Sequence, residues 1–317
     1  MCILRDNFNR EIRYLRLSVT GECNYRCAYC MAERGAARRA DGGALPIEEL
    51  AGIGGAAVRC GVKKIRLTGG EPLMRRGILD LCERLRACAG LEELALTTNG
   101  ALLGAMAADL RASGVGRLNV SLDTLCPERF RALTRRGELS DVLRGLDAAR
   151  SAGFTGTKLN VVLLGGVNDG EIADFVALTR EEELSVRFIE LMPMGVCAAF
   201  PRERFLSADA VLSAVPELER AGSGGVAELY RVPGYRGTVG LIRPMTRCFC
   251  ASCDRIRVTA DGKLKPCLHS AREIPLRGLH GAALEDAIRA GVAAKPARHS
   301  LTEGGSRAAR EMYAIGG

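Results

Sequence analysis

Residues 14–30 read YLRLSVTGECNYRCAYC. The first part alternates apolar and polar side chains, which is typical of a β-strand. Three cysteines, Cys23, Cys27 and Cys30, follow immediately. Cysteine thiolates hold iron–sulfur clusters, and a four-iron cluster normally has four of them, so three thiols would leave one iron open to an exogenous ligand. The alternative is a zinc site, although the next cysteine is Cys60.

The chain up to about residue 192 alternates strand-like runs with segments that carry apolar residues at helical spacing. Repeated βα units of this kind build a parallel sheet, and they predict an α/β fold with a partial (β/α)6 TIM-like barrel. The predicted strands are Tyr14–Thr20, Lys63–Thr68, Glu93–Thr98, Arg117–Leu122, Thr157–Leu164 and Ser185–Met192, and the predicted helices are Ile47–Cys60, Gly77–Cys88, Leu103–Ser113, Asp141–Ala152 and Glu171–Glu183.

The pattern changes after Met192, where a loop containing proline and glycine follows and segments become shorter. We therefore expect two domains, a barrel over residues 1–220 and a C-terminal domain over residues 221–317. The second part is predicted to contain a helix at Ala208–Val215, a Gly-rich stretch at Gly222–Gly225, strands at Gly237–Arg243 and Arg255–Thr259, a turn at Asp261-Gly262 and a helix at Ala282–Ala293.

Composition narrows the class of protein. The start of the chain lacks the apolar stretch of a secretory signal, and no run approaches the length of a membrane span, so we expect a cytoplasmic protein. Thirteen cysteines in a reducing compartment favour metal or redox chemistry over disulfides. The net charge of +8 favours an anionic partner. Because the chain has no tryptophan, nucleic-acid binding by base stacking is disfavoured.

A second cysteine trio lies near the C-terminus, with the spacing Cys250-x2-Cys253-x13-Cys267. Its neighbours Cys248 and His269 allow a zinc site of four cysteines, or of three cysteines and a histidine. Spacing alone leaves the zinc site and an iron–sulfur cluster open.

Cationic residues share faces of the predicted strands. Residues two apart on a strand point the same way, so Lys64 and Arg66 line one face, and Arg255 and Arg257 another. An unpaired buried ion costs roughly several kcal/mol, so such a layer indicates an anionic ligand such as a triphosphate. No Walker-type loop is present in the sequence, so side chains would have to hold the phosphates.

The first trio, followed by Thr68-Gly69-Gly70-Glu71-Pro72, resembles the radical S-adenosylmethionine superfamily. The resemblance implies that Cys23, Cys27 and Cys30 hold a [4Fe–4S] cluster. It also implies that S-adenosylmethionine is bound by Tyr29, Gly70, Glu71, Ser121 and Met192. Taken without the resemblance, Ser121 and Met192 would be packing residues at strand ends.

The segment from Asp254 to Leu264, with Phe249 and the chain end Ile315-Gly316-Gly317, resembles the GTP 3′,8-cyclase family of molybdenum cofactor biosynthesis. The resemblance implies a second [4Fe–4S] cluster whose open iron docks guanine, and a catalytic Gly316-Gly317 tail that reaches into the active site. Its metal ligands would be Cys250, Cys253 and Cys267, and the GTP-binding residues would be Arg16, Lys64, Arg66, Thr97, Lys158, Arg187, Arg255 and Arg257.

The resemblance further implies a lyase in which a 5′-deoxyadenosyl radical removes hydrogen from ribose C3′ of GTP. Attack on guanine C8 then gives (8S)-3′,8-cyclo-7,8-dihydroguanosine 5′-triphosphate. Implied partners are a reductant such as flavodoxin or ferredoxin and, as recipient of the product, cyclic pyranopterin monophosphate synthase; no nucleic-acid or membrane partner is expected, and the protein would be a monomer or homodimer. Two alternatives remain: a radical enzyme that modifies peptides, and a zinc-bearing nucleic-acid-binding protein.

Overall fold

A computed structural model describes residues 3–33, 43–301 and 305–316. Their strands form one open sheet. In chain order these are β1 (Tyr14–Ser18), β2 (Lys64–Thr68), β3 (Glu93–Thr98), β4 (Arg117–Ser121), β5 (Lys158–Leu163), β6 (Ser185–Glu190), β7 (Glu219–Gly224), β8 (Ala227–Arg231), β9 (Thr238–Ile242), β10 (Arg255–Val258), β11 (Lys263–Lys265) and β12 (Ile274–Pro275).

The strand order is β12-β11-β10-β1-β2-β3-β4-β5-β6-β9-β8-β7. The run from β10 through β1–β6 to β9 is parallel throughout, and the outer strands at both edges are antiparallel. The sheet does not close on itself, which confirms a partial barrel. The six predicted βα strands form its centre, and strands from the C-terminal part extend it at both edges.

Most of the helices cover the outer face of this sheet, whereas the last one lies at the cavity on the inner face. None of them, within the part of the chain that the structure describes, has the length and apolar character needed to cross a membrane. They are α1 (Ile47–Cys60), α2 (Ile78–Arg86), α3 (Leu103–Ala112), α4 (Pro127–Thr134), α5 (Leu139–Ser151), α6 (Ile172–Ala177), α7 (Asp209–Ala214), α8 (Gly281–Ala293) and α9 (Met312–Ile315).

Side-chain alternation separates the core from the barrel interior. On β1, Leu15 and Leu17 are fully buried on the helix side, whereas Arg16 points to the other face. Helix α1 meets this layer with Leu50 and Ile53, one helical turn apart and both buried. The apolar core therefore lies between sheet and helices, and the inner face is left for polar groups.

One helix prediction was wrong, and one helix was missed. The predicted helix Glu171–Glu183 ends at Ala177, because the hydroxyl of Thr179 donates to the carbonyl of Val176 and competes with helix continuation. Helix α4 was not predicted; it begins with Pro127 at its first turn, a position that suits proline.

The C-terminal part differs from prediction in one element and agrees in another. The Gly-rich stretch at Gly222–Gly225 belongs to a β7–β8 hairpin, whose first strand is exposed on both faces and so carries no apolar alternation. The turn at Asp261-Gly262 is confirmed between β10 and β11. The expected domain division at residues 220 and 221 lies within β7, and it stays a prediction.

Candidate active site

A cavity of about 830 Å³ lies on the inner face of the sheet. Both cysteine trios line it, and so do most of the other residues predicted for binding. The predicted residues among its lining are Cys23, Cys27, Cys30, Cys250, Cys253, Cys267, Tyr29, Gly70, Ser121, Met192, Arg16, Lys64, Arg66, Thr97, Lys158, Arg187, Arg255 and Arg257.

The first trio lies in the loop that leaves the carboxyl end of β1. Cys23 accepts a hydrogen bond from the backbone N–H of Tyr25 at 3.4 Å, and Asn99 Nδ2 lies 3.7 Å from its sulfur. Asn99 follows β3, so the carboxyl ends of two parallel strands meet at this sulfur.

The chemistry of this donor set fits a metal cluster. Burial, followed by the charges of Cys30, Asp123 and Cys23, raises the pKa of the Cys27 thiol well above its usual value. Burial and the charge of Cys23 likewise raise the pKa of Cys30 to about 12. Thiolates in this loop therefore need a strong positive charge between them, which a bound iron cluster supplies.

The Gly-Gly turn after β2 presses against the cysteine loop. A Cβ atom on Gly70 would lie 2.1 Å from the backbone oxygen of Glu22, so a side chain at this position would displace the loop. The backbone N–H groups of Gly70 and Glu71 donate to the carbonyls of Thr20 and Glu22. These contacts therefore fix the position of the cysteine loop relative to the end of β2.

Glu71 is placed differently from the other predicted cofactor residues, because it does not line the cavity. Its fully buried carboxylate accepts hydrogen bonds from the N–H groups of Leu73 and Asn99 and from the hydroxyl of Thr98. Burial raises its pKa to about 7. Direct contact of Glu71 with a ligand ammonium stays a prediction; its visible contacts hold Asn99, a cavity residue that the sequence reasoning missed.

Tyr29 is hydrogen-bonded to Asp123, a second cavity residue that the sequence reasoning missed. The phenol donates to the Asp123 carboxylate at 2.6 Å, and the other carboxylate oxygen accepts from the N–H of Val162. The thiol of Cys197 lies 2.8 Å from the carbonyl of Tyr29. The Asn-Val-Ser-Leu-Asp run that ends β4 was the available signal for Asp123, since polar groups at parallel strand ends face the cavity.

The second trio lies at the other end of the same strands. Strand β10 runs parallel to β1, with Arg255 level with Tyr14. Cys253 precedes β10, whereas Cys23 follows β1, so the two trios flank opposite ends of the parallel strands. Lys295, which is 4% exposed, lies with its ammonium 3.4 Å from Cys253 Sγ. The Lys295 ammonium thus donates a hydrogen bond to this sulfur from a buried position.

Cationic side chains occupy the strands between the trios. The parallel register places Arg16 beside both Arg257 and Arg66. On the other side of the barrel, Asn119 is level with Lys158, and Asn160 with Arg187. This set, which we call the cationic layer, consists of Arg16, Lys64, Arg66, Lys158, Arg187, Arg255 and Arg257.

Tyr14 lies inside the cationic layer and was not predicted. Its ring is 5.1 Å from the Lys64 ammonium and 5.3 Å from the Arg255 guanidinium, and its hydroxyl accepts from Arg66 at 2.5 Å. Burial alone would raise its pKa, but the surrounding cations lower it to about 7. A phenol pKa lowered in this way indicates that the inside of the barrel is strongly positive around Tyr14.

Burial and mutual repulsion disfavour the charged forms of the side chains in the cationic layer. They lower the pKa of Lys158 to about 7; burial is the larger cause and the charge of Arg187 the next. They lower the pKa of Arg187 to about 10, where burial is again the larger cause and the charge of Arg66 the next. An anion among these groups would relieve both effects. The geometry therefore fits a polyanionic ligand between the trios.

The chain end enters the barrel. Gly316 has a φ of +84°, and a Cβ atom there would lie 2.3 Å from the hydroxyl oxygen of Thr68. Its carbonyl accepts a hydrogen bond from Arg257 in the cationic layer. Gly316 thus lies against β2 and β10, its catalytic role stays a prediction, and Gly317 lies outside the described residues.

Two family models match the chain. The Radical SAM superfamily model matches residues 17–179, and the Molybdenum Cofactor Synthesis C model matches residues 184–301. The first covers the β1–β5 part with the first trio. The second begins just before β6 and includes the second trio.

The chain is similar to "GTP 3′,8-cyclase" of Peptoclostridium acidaminophilum, with 49% identity over 99% of this chain and 98% of the relative. It is also similar to "GTP 3′,8-cyclase" of Moorella thermoacetica, with 45% identity over 99% of this chain and 100% of the relative. Among solved structures, Streptococcus suis SuiB bound to S-adenosylmethionine matches with a TM-score of 0.62 and 14% identity, over 97% of this chain and 78% of SuiB, which shows the fold. The sequence likeness spans both trios and the layer between them, and the chain belongs to the GTP 3′,8-cyclase family within the radical S-adenosylmethionine superfamily.

Proposed function

We propose that this chain converts GTP to (8S)-3′,8-cyclo-7,8-dihydroguanosine 5′-triphosphate, the first step of molybdenum cofactor biosynthesis. One observation carries the proposal: a single cavity holds a cysteine trio at each end and a cationic layer between them. The relatives named GTP 3′,8-cyclase cover the whole of this arrangement. Peptide modification and zinc-dependent nucleic-acid binding are not favoured, because neither uses the cationic layer inside the barrel.

The cofactors follow from the family and from the donor sets. The chain uses a [4Fe–4S] cluster and S-adenosylmethionine, as a radical S-adenosylmethionine protein. We assign the first cluster to Cys23, Cys27 and Cys30. A second [4Fe–4S] cluster on Cys250, Cys253 and Cys267 is our proposal, and the nearby Lys295 ammonium and the shared cavity support it.

The protein's share of the reaction is positioning and charge pairing. When bound, the first cluster and S-adenosylmethionine supply the radical that removes a hydrogen atom from the substrate. Arginines of the cationic layer suit two-pronged contacts to phosphate oxygens. Tyr14 donates a further hydrogen bond when it is protonated. The C-terminal tail contacts Arg257 of this layer and so lies beside the space where the substrate would bind.

Partners outside the chain are inferred from the same chemistry. We propose a low-potential reductant such as flavodoxin or ferredoxin as electron donor, cyclic pyranopterin monophosphate synthase as recipient of the product, and a cytoplasmic location. The free cysteines among the described residues agree with a reducing compartment. Both a monomer and a homodimer satisfy these requirements.

Turnover tests the proposed reaction directly. Anaerobic incubation with GTP, S-adenosylmethionine and dithionite is expected to give a nucleotide of the same mass as GTP but with changed chromatographic and fragmentation behaviour, because cyclisation is an isomerisation of GTP. We also expect about eight irons per chain, and about four in the Cys267→Ser variant. Recovery of unchanged GTP, with 5′-deoxyadenosine formed, would contradict the proposed substrate.

Arg255→Ala is expected to weaken GTP binding while uncoupled cleavage of S-adenosylmethionine persists. Arg255 contacts the Tyr14 ring within the cationic layer and lies on the side of the second trio, away from the first. Equilibrium binding of GTP and formation of 5′-deoxyadenosine measure the two effects separately. Arg13→Ala is the control, because this arginine pairs with Glu11 and Glu92 at the surface. Normal GTP binding by Arg255→Ala would remove that residue from the site.

GTP affinity is expected to fall as pH rises from about 6.5 to about 8.5. Lys158 has a pKa of about 7 without ligand, so its ammonium loses its proton in this range, and the triphosphate favours the charged form. Tyr14, with a pKa of about 7, adds to the fall by becoming a phenolate among the phosphates. Isothermal titration of GTP at several pH values measures the slope.

The double variant Lys158→Arg with Tyr14→Phe isolates the contribution of these two groups. Arginine keeps its charge across this range and phenylalanine has no proton to lose. Titration of GTP itself is the same for both proteins, so it cancels in the comparison. Equal slopes for the double variant and the native chain would show that neither group responds to the ligand.

A further inference from the structure

A group of three metal-binding side chains lies beside the second trio. Cys248, Cys250 and His299 each offer one ligand atom, and these atoms all lie within 4.8 Å of one another. Cys248 is exposed, and the other two are half-buried. Sequence spacing suggested His269 as the histidine near these cysteines, but the structure brings His299 to Cys248 from the segment after α8.

The distances suit a small tetrahedral ion. Zinc binds sulfur at about 2.3 Å and imidazole nitrogen at about 2.0–2.1 Å, so a sulfur and a nitrogen on one tetrahedral zinc are about 3.6 Å apart. The separation between Cys248 Sγ and His299 Nε2 is 3.5 Å. The same bond lengths put two zinc-bound sulfurs about 3.8 Å apart, within the 4.8 Å limit that the group satisfies.

The surroundings of this group leave it accessible from the surface. The N–H of Leu301 donates to Nδ1 of His299 at 3.3 Å, so zinc binding at Nε2 requires the ring proton to move to Nδ1 and this hydrogen bond to be given up. The ring packs edge-on against His269 at 5.3 Å. Arg247, which precedes Cys248 in the chain, is paired with Glu228 at 3.0 Å. The cysteine at the surface gives an ion a route in.

We propose that Cys248, Cys250 and His299 form a Zn²⁺ site in chains that lack the second iron–sulfur cluster. Three protein ligands leave the fourth tetrahedral position for water. Cys250 belongs both to this site and to the proposed cluster, so the two metals exclude each other at this thiolate. That consequence rests on the proposed function, whereas the zinc site itself rests on the three side chains.

Cobalt replaces zinc as a spectroscopic probe of the site. We use the full-length chain with Cys23→Ser, Cys27→Ser and Cys30→Ser, prepared without iron and fully reduced, so that the first trio does not bind the metal. Titration with Co²⁺ is expected to give one equivalent of tetrahedral cobalt with thiolate charge-transfer absorption. Adding Cys248→Ser or His299→Asn should weaken Co²⁺ binding about tenfold or more.

His269→Asn is the matched control, because this ring touches His299 but is bonded to Ser306 and offers no ligand to the group. It should leave Co²⁺ affinity unchanged. The result that overturns the site is cobalt binding that needs Cys253 and Cys267 and tolerates Cys248→Ser and His299→Asn, since the metal would then occupy the trio itself. Circular dichroism shows whether each variant is folded.

Competition with iron provides a second readout on the chain with its native cysteines. When zinc is added before cluster reconstitution, both chains should recover less iron. The native chain should lose up to about four more iron atoms per chain than Cys248→Ser loses. Equal losses in the two chains would overturn the shared role of Cys250. If the native chain holds only about four irons without any zinc, the second cluster fails, while the cobalt result still decides the zinc site.

Discussion

Arg187→Met is expected to stabilise the protein and to weaken its binding of GTP. Arg187 is 9% exposed, and its Nε has no hydrogen-bond partner among the described residues. Its Nη1 donates a long hydrogen bond to the carbonyl of Gly224, at 3.5 Å. Burial and then the charges of Arg66 and Arg255 lower its pKa to about 10, which shows that the native environment disfavours its charge.

The expected gain in unfolding free energy is about 1–3 kcal/mol, because methionine fills a similar volume without a buried charge. This corresponds to a rise in melting temperature of about 2–6 °C. GTP affinity should fall roughly tenfold to hundredfold, the range for losing one hydrogen bond to a charged group. Differential scanning calorimetry without ligand and isothermal titration with GTP measure the two changes.

Arg243→Met is the matched control for this substitution. Arg243 is buried to 2% exposure, but its guanidinium pairs with Asp209 and lies 3.3 Å from Glu228. Removing it leaves Asp209 without its cation and Glu228 with Arg247 alone, so this variant should be less stable than the native chain. If Arg187→Met destabilises the protein as Arg243→Met does, the inference that the cationic layer is strained without its ligand is wrong.

Arg310→Ala is expected to abolish most product formation while the clusters and S-adenosylmethionine binding remain. Arg310 is buried and forms two-pronged contacts with Asp261, at 2.9 and 3.0 Å, and with Glu273, at 2.5 and 2.7 Å. It lies six residues before Gly316, whose carbonyl contacts Arg257 in the cationic layer. Arg310 therefore anchors the segment that carries the tail into the barrel.

Loss of this anchor costs about 3 kcal/mol locally, because Asp261 and Glu273 lose their two-pronged arginine contacts and keep only the longer ion pairs with Lys263 and Lys265. A tail that no longer holds its position should lower product formation about hundredfold, the effect of a small misplacement at a reacting centre. Product analysis, iron content and S-adenosylmethionine binding are measured on the same preparation. Limited proteolysis of the C-terminus reports directly whether the tail has been released.

Arg307→Ala provides the control for the tail experiment, because Arg307 is exposed and lies on the same segment. Arg310→Lys should recover only part of the activity, since an ammonium keeps the charge but not the planar fork. If Arg310→Ala retained full turnover, the segment from Arg310 to Gly316 would not position the reaction.

Local pattern predicted those elements that carry strong periodicity or fixed spacing. Helix α1 was predicted with its observed bounds, because its apolar residues recur at helical spacing between Pro46 and Gly61. The exposed hairpin β7–β8 was missed, since neither face of β7 is buried and no apolar alternation marks it. The motif containing Glu71 was recognised, but its contacts with Thr98 and Asn99 depend on β3 lying beside β2.

By itself the sequence determined the two cysteine trios, the βα alternation and the arginine pairs on single strand faces, because each depends on spacing within a few residues. Tertiary structure decided which of these meet. Strand β10 pairs with β1 although more than two hundred residues separate them, which places Arg257 beside Arg16 and the second trio at the same cavity. It also brings His299 to Cys248, and Arg310 to Asp261. Such pairings follow from hydrogen bonding at the sheet edge and from burial of the helices against it, which local periodicity does not encode.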